Sequence, residues 1–239
     1  MLAWHFLPSS RCLRWGSRKL VRPGRKMVVD PPLLMCRHGL HGSKNIMDAL
    51  TYAPGPVLCR VSMLGEVIEE DDKYCATERH CIWMADATRD LHEFACWCAE
   101  TALANYCRLT DQKPAQAVLD TIAAKRGWLK GSVGDKELLA ARLAVRAAPY
   151  EPYCLAAHAI TDQSLLIVTC EAANMAAHMS AIVAAREAAH QAIYSIAARV
   201  AGSLSYQVAF EDDRAAYEAA IAAQEAKLVE MVCQIERHD

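Results

Sequence analysis

The sequence predicts an α+β fold in which a small mixed α/β module precedes an alanine-rich antiparallel helical bundle. Two observations support this prediction. Of the 239 residues, positions 1–85 carry 12 Lys/Arg, 8 Asp/Glu and 5 alanines, whereas positions 86–239 carry 14, 20 and 38. Glycine and proline punctuate the first part, as expected for short strands and turns, while apolar residues recur at helical spacing in the second. We therefore predict two domains, residues 1–85 and 86–239.

The predicted order of elements in the first part is β, β, α, β, β, β. Residues 43–52 have apolar positions at the i, i+3, i+4 spacing of a helix, with Ser43 as N-cap and Pro54 as the stop. The acidic run 69–72 is expected to be a solvated loop. Short apolar runs bounded by turn residues predict the strands, at 2–7, 26–29, 57–61, 65–68 and 81–84.

The second part is predicted to be helical throughout. Its first helix begins with Asp86 or Thr88 as N-cap, the second runs from about Pro114 to Gly131, and the third covers 135–148. Further alanine-rich helices follow between residues 153 and 200. Because alanine favours helix but buries little area, these helices are expected to pack closely against one another in a bundle.

The last helix has a regular seam that alternates by four and three residues, as in a coiled coil. Its members are Tyr217, Ile221, Gln224, Leu228, Met231 and Ile235. The seam predicts either packing inside the same bundle or the contact of a homodimer. A homodimer contact would also suit an oligomeric structural or assembly protein, which is one alternative function.

Composition and charge restrict the class of protein. The formal net charge of −2 argues against nucleic acid as the main partner, and no apolar run approaches the roughly 20 residues of a membrane-spanning helix. Basic residues interrupt the N-terminal apolar stretches, so no signal peptide is expected. The 11 cysteines are an odd number in a chain without an export signal, which favours reduced thiols. We therefore expect a soluble cytoplasmic protein without a membrane partner.

Several stretches of the chain occur in the same order and spacing in known groups of proteins. In the first part they are Leu2-Ala3-Trp4-His5-Phe6, Pro31-Pro32-Leu33, Gly39-Leu40-His41-Gly42-Ser43, Tyr52-Ala53-Pro54-Gly55 and Trp83-Met84-Ala85-Asp86. Through them, residues 2 to about 104 resemble a family of hypothetical bacteriophage and prophage proteins. The helical part, through Cys98-Ala99-Glu100 and Trp128-Leu129-Lys130-Gly131, is similar to alanine-rich proteins labelled as immunity proteins. The resemblances imply a phage or mobile-element origin, hence the cytoplasm of a bacterial host cell, and no established activity.

The order of strands, histidines and glycines in the first part is also similar to the core of ADP-ribosyltransferases. That resemblance implies NAD as cofactor, with His5 holding the nicotinamide ribose and His41 stacking near the nicotinamide. Glu78 would stabilise the oxocarbenium-like transition state. The alternative is structural: both histidines are partly buried and bonded to the backbone.

Several cysteines and histidines that could bind a metal ion lie in the first part of the sequence. Structural zinc sites usually show paired ligands with two to five residues between them, and Cys36-x-His38 is too short for this pattern. We therefore predict no metal. The residues considered are Cys36, His38, His41, Cys59, Cys75, His80 and Cys81.

The basic N-terminal stretch, with Trp4 and Trp15 interleaved, could contact phosphates and stack on bases. With so few charges, a solvated basic face is the favoured interpretation. No phosphate-binding loop, dinucleotide fingerprint or nucleophile elbow is present. We therefore predict a non-enzymatic protein that binds a host protein or protein complex, in the manner of an anti-CRISPR or other counter-defence inhibitor. The enzymatic alternative is the NAD-dependent ADP-ribosyltransferase.

Overall fold

The computed structural model describes residues 1–13, 19–110, 113–147, 154, 157, 161, 173, 175–184 and 205–235. An antiparallel sheet comes first and helices follow, which confirms the predicted α+β class. The chain divides into two compact units. The first contains residues 1–91 and 228–239, and the second contains residues 92–162 and 172–227. The predicted division between residues 85 and 86 stays a prediction.

In residues 1–87, the described part of the first unit consists of five strands and a short helix. All strand pairs are antiparallel, and β5 pairs with β4 along one edge and with β3 and β2 along the other. Because β1 pairs with both β3 and β4, the strands β1, β3, β5 and β4 close into a ring. The elements are β1 (Leu2–Leu7), β2 (Lys26–Val28), β3 (Leu40–Ser43), α1 (Ile46–Thr51), β4 (Val57–Glu69) and β5 (Lys73–Asp86).

The elements differ from the predicted ones in several places, and the predicted strand 81–84 is only part of β5. Strand β3 was not predicted, and the side chain that caps α1 is Asn45, which accepts a 2.8 Å hydrogen bond from the amide of Asp48, rather than Ser43. The predicted strands 57–61 and 65–68 are one strand with an irregular register near Gly65, whose φ is +72°. That irregularity breaks the alternating pattern and hides the continuity of the strand. The acidic stretch does connect two strands, since β4 ends at Glu69 and β5 begins at Lys73.

Small side chains let the ring of strands close tightly. The buried core of the first unit includes Ala3 on β1, with Val61 and Met63 on β4. A Cβ atom added at Gly42 would lie 2.9 Å from the Ala3 Cβ and 3.1 Å from the Met63 Sδ. A larger residue at this position of β3 would therefore push the strand away from the core.

Four helices whose bounds the structure describes follow the sheet: α2 (Thr88–Thr110), α3 (Gln116–Leu129), α4 (Asp135–Arg146) and α5 (Ser205–Ile235). Residues 175–184 are also helical. Asp86 accepts a 2.9 Å hydrogen bond from the amide of Thr88, as expected at the start of α2. Gly131, with φ +74°, follows α3. The rest of the predicted helical region 153–200 lies almost entirely outside the described residues. None of the described helices is long and apolar enough to span a membrane.

Two residues of the predicted seam on α5 form hydrogen bonds with other residues of the same chain. Gln224 is buried, and its Nε2 donates a 2.8 Å hydrogen bond to the carbonyl oxygen of Ala177. The hydroxyl of Tyr217 lies 3.1 Å from Nδ1 of His178. Leu228 is buried, Ile221 and Met231 are partly exposed, and the side chain of Ile235 lies outside the described set. A homodimer contact along the seam stays a prediction.

Candidate functional site

A cavity of about 430 Å³ opens in the first unit. Residues of β1, β2 and β3 line it, together with the turn 36–39 and parts of α1. Phe6, Leu7 and Met27 make part of its wall apolar. Ligand sites commonly have volumes of about 300–1,000 Å³ with mostly apolar walls and a few polar groups, so this cavity has the size of a small-molecule site.

The charged residues that line the cavity are all cationic. They are Lys19, Arg37, Lys73 and Arg79, and none of the described lining residues is Asp or Glu. Lys73 has carboxylate partners outside the lining, since its Nζ lies 3.3 Å from Glu70 and 3.7 Å from Asp72. Arg79 has none within the described part of the chain.

Arg79 is the most unusual of these cations because it is buried. Its side chain is 3% exposed, Nη1 donates a hydrogen bond to the carbonyl oxygen of His41, and Nη2 has no hydrogen-bond partner. Burial lowers the pKa of the guanidinium from 12.5 to about 10, and the thiols of Cys59 and Cys81 oppose this shift. A guanidinium at this pKa is still charged at neutral pH. Buried charges are normally paired, so this guanidinium is an exception among the described residues.

Backbone groups at the two ends of the turn 36–39 form hydrogen bonds with the ring of His41. Its Nε2 accepts a 3.1 Å hydrogen bond from the amide of Cys36, and the ring also bonds to the backbone of Gly39. Burial lowers its pKa, and the charges of Arg79 and Lys73 lower it further, so the ring is neutral at pH 7. This is the backbone-bonded state that the sequence left open. His41 therefore fixes the turn 36–39 at the cavity and anchors Arg79 through its carbonyl oxygen.

The three residues suggested by the resemblance to ADP-ribosyltransferases do not all meet. His5, opposite Cys59 in the β1–β4 register, lines the cavity with His41. Glu78 does not line it, and its carboxylate pairs with Lys26 at 3.0 Å. The two histidines thus line the same cavity, whereas the carboxylate of Glu78 on β5 lies outside its lining. A catalytic role for Glu78 stays a prediction.

The residues considered for zinc are not grouped as ligands. In the described part of the chain, no three His, Cys, Asp or Glu side chains lie close enough to hold a metal ion. The thiol of Cys75 donates to the carbonyl oxygen of His38 at 3.5 Å. Cys59 and Cys81 are buried near Arg79. All ten described cysteines are free.

Of the two tryptophans considered for stacking on nucleic-acid bases, Trp4 gives no open surface. Trp4 is 8% exposed, and the guanidinium of Arg60 lies 4.3 Å from its ring centroid. Trp83 packs edge-on against the same ring, with centroids 6.1 Å apart. Trp15 lies outside the described residues. Trp4 therefore belongs to the interior of the first unit.

Sequence reasoning did not single out Arg79, although a signal for it is present. In β5, the buried residues Cys75, Arg79 and Cys81 lie at alternating positions of one strand. A cation at such a position is expected to face the interior of the sheet rather than solvent. The pattern could therefore have suggested a buried charge, but only the closed ring of strands shows that it lies at a cavity.

Residues 22–93 match a domain family of unknown function, DUF7666. The DUF7666 match begins before β2 and ends early in α2, so it contains Cys36, His41 and Arg79 but not His5. It covers less than half of the chain. No curated protein and no solved structure matches. The match bears on neither the phage origin nor the resemblance to immunity proteins, and both stay predictions.

Proposed function

We propose that the first unit binds a small organic anion in the cavity, with Arg79 as the main charge partner. The observation that supports this function is the buried guanidinium whose Nη2 has no partner, at a cavity whose described lining contains no carboxylate. Nη2 is buried in the ligand-free protein, so it would donate a hydrogen bond to a carboxylate or phosphate oxygen of the ligand after a small shift of the side chain. In a site shielded from water this bond is stronger than on the surface.

The rest of the lining fits an organic body attached to that charged group. Phe6, Leu7 and Met27 offer apolar contact, while Lys19 and Arg37 are exposed cations that attract an approaching anion. The structure brings together binding groups rather than an acid–base pair. We therefore propose binding, with catalysis left open.

The NAD-dependent alternative is a special case of this function, because NAD carries a pyrophosphate. The presence of His5 and His41 in one cavity favours it, and the position of Glu78 outside the lining does not. NAD⁺ and ADP-ribose are thus the first organic probes to test, beside inorganic phosphate.

The experiment compares the wild type with Arg79→Met by thermal unfolding and isothermal titration with these three probes. We expect at least one anion to stabilise the wild type. We also expect Arg79→Met to bind that anion roughly 10- to 100-fold more weakly, as loss of a hydrogen bond to a charged group predicts. Arg22→Met, at an exposed cation outside the lining, should bind like the wild type.

The stability of the ligand-free variant separates a ligand-binding role from a structural one. If Arg79 serves a ligand, replacing an unpaired buried charge by Met leaves the unfolding temperature unchanged or raises it. Marked destabilisation of Arg79→Met would assign the guanidinium to the core and contradict the proposal. So would equal stabilisation of both proteins by every anion.

A second candidate function, binding of a host protein by the helical unit, is favoured by one observation. On α4, Leu139 is 54% and Leu143 is 59% exposed, and they lie one helical turn apart. Paired exposed leucines are typical of helix surfaces that bind a partner. A phage origin and a counter-defence role would belong to this function.

This candidate is tested by pull-down from a bacterial lysate with the wild type, Leu139→Glu/Leu143→Glu and a control. The control is Ala123→Glu, which adds a charge at an exposed position of α3. We expect the wild type and Ala123→Glu to recover the same partner and the double variant to lose it. Identical recovery by all three proteins, or by none, would exclude this surface as the binding site.

A further inference from the structure

Cys36 lines the same cavity as Arg79, and its side chain is exposed. Its φ of +61° lies in the left-handed region, which is uncommon for a residue with a Cβ atom. The 3.1 Å hydrogen bond from its amide to Nε2 of His41 holds this conformation. One histidine thus positions Cys36 through its ring and Arg79 through its carbonyl oxygen.

We propose that Cys36 is a covalent modification site for anionic electrophiles that the cavity concentrates. This inference rests on the proposed anion-binding function. In the reaction the thiolate sulfur of Cys36 attacks an electrophilic carbon of the bound anion. The S–C bond forms as the bond from carbon to the leaving group breaks. The leaving group departs with its electron pair, and the thiol proton passes to water.

The charge of the cavity makes the site selective for anions. Arg79 is buried with Nη2 unpartnered, so it attracts negative charge with little screening by water. The described lining contributes no carboxylate that would oppose it. Clefts lined by one sign of charge raise association rates for the opposite sign by about 10- to 1,000-fold. A neutral electrophile of the same shape gains nothing from this field.

The test uses two small alkylating agents that differ in charge, iodoacetate and iodoacetamide, on the full-length reduced protein. Both form the same S–C bond and release iodide. Mass spectrometry of peptides gives the rate at each cysteine, and the quantity compared is the iodoacetate rate divided by the iodoacetamide rate. Cys107 on α2, which is also exposed, is the matched internal reference.

We expect the rate ratio at Cys36 to exceed that at Cys107 by about tenfold or more at low salt, and to fall when salt is added. Arg79→Met should lower the ratio at Cys36 toward that at Cys107, while Arg22→Met should leave it unchanged. Equal ratios at the two cysteines in the wild type would overturn the inference, and so would a ratio at Cys36 that Arg79→Met leaves unchanged.

The two proposals fail in different ways. If an anion binds in the titrations with the expected dependence on Arg79 but Cys36 shows no preference for iodoacetate, only the modification site is wrong. If no anion binds and Cys36 shows no preference, the anion-binding function fails as well.

Discussion

Two buried cations, Arg79 and Lys125, lack a carboxylate partner in the described part of the chain, and their surroundings differ. Arg79 lines a cavity, and the lowering of its pKa from 12.5 to about 10 corresponds to a burial penalty of about 3 kcal/mol. Lys125 on α3 is also fully buried, and its Nζ has no hydrogen-bond partner. That ammonium lies 4.0 Å from the centroid of the Trp128 ring, whose face attracts cations. Lys125 thus has an internal partner of modest strength, whereas Arg79 lies at the wall of a cavity.

Replacing Lys125 by Met should stabilise the protein at pH 7. Burial lowers the pKa of the ammonium to about 8, so the folded state keeps a charge that water would solvate better. Methionine fills similar volume without that penalty, and we expect a gain of about 1–3 kcal/mol in urea unfolding. Lys130→Met, at an exposed position after α3, should change the free energy of unfolding by less than about 0.5 kcal/mol.

The same substitution should remove a pH dependence. Between about pH 8 and 10.5 the unfolded state binds the Lys125 proton more strongly than the folded state, so the wild type gains stability as the pH rises through this range. Lys125→Met should lack this gain. A loss of stability at pH 7 in the variant would show instead that the contact with Trp128 outweighs burial.

Individual residues show which parts of the candidate site could be predicted from the sequence. His5 and His41 were candidates through the resemblance to ADP-ribosyltransferases, and both line the cavity. Arg79 was not recognised because the predicted strands ended at residue 68 and resumed at residue 81. Its burial depends on β2 and β3, which are remote in sequence, and local patterns carry no information about that pairing.

At the scale of elements, local signals located helices better than strands. The end of α3 follows from Gly131, whose left-handed backbone a glycine adopts without strain, and α4 begins at Asp135 as predicted. The strands β4 and β5 were seen only as fragments. At Gly65 a Cβ atom would lie 2.3 Å from Oγ1 of Thr77, so this glycine serves the pairing of two strands. From the sequence alone it was the first residue of a separate predicted strand, 65–68.

An ion pair joins α2 to α3, and the spacing of residues in the sequence does not predict it. Arg126 donates two hydrogen bonds of 2.7 Å to the carboxylate of Glu100, one from Nε and one from Nη2. The two residues are 26 positions apart and lie on different helices. The bidentate geometry fixes the register of the helices more than it adds stability, since both side chains are partly exposed.

For the whole molecule, composition was the most informative signal. The change from a strand-rich to an alanine-rich segment predicted the α+β class because it reflects two ways of burying apolar area. Composition could not show which residues belong to which compact unit. Residues 228–239 belong to the first unit although about 140 positions separate them from residue 91. Such contacts depend on tertiary packing rather than on local sequence.

Removing the end of the chain should therefore weaken the N-terminal sheet. Truncation after Lys227 deletes Leu228 and Val232, which are fully buried and belong to the first unit. Burying an aliphatic side chain of this size contributes about 1.5–3 kcal/mol. We expect lower hydrogen-exchange protection in the strands of the first unit and a lower unfolding temperature.

A shorter truncation provides the control for this experiment. Ending the chain after Gln234 keeps both buried residues and should preserve protection of the sheet. Unchanged protection in the longer truncation would mean that the sheet is stable without the end of α5.

The long hairpin of β4 and β5 also bears on the order in which the chain folds. Three residues connect these strands, and every other described strand pairs with one of them. Contacts between close residues form fastest, so the hairpin is expected to act as the template on which the other strands assemble. On the ribosome, β1 is made before β4 and finds its partner residues 57–62 only after residue 62 has emerged. The wall of the cavity that β1 contributes is thus completed late, and nascent chains remain unable to hold a ligand until the hairpin exists.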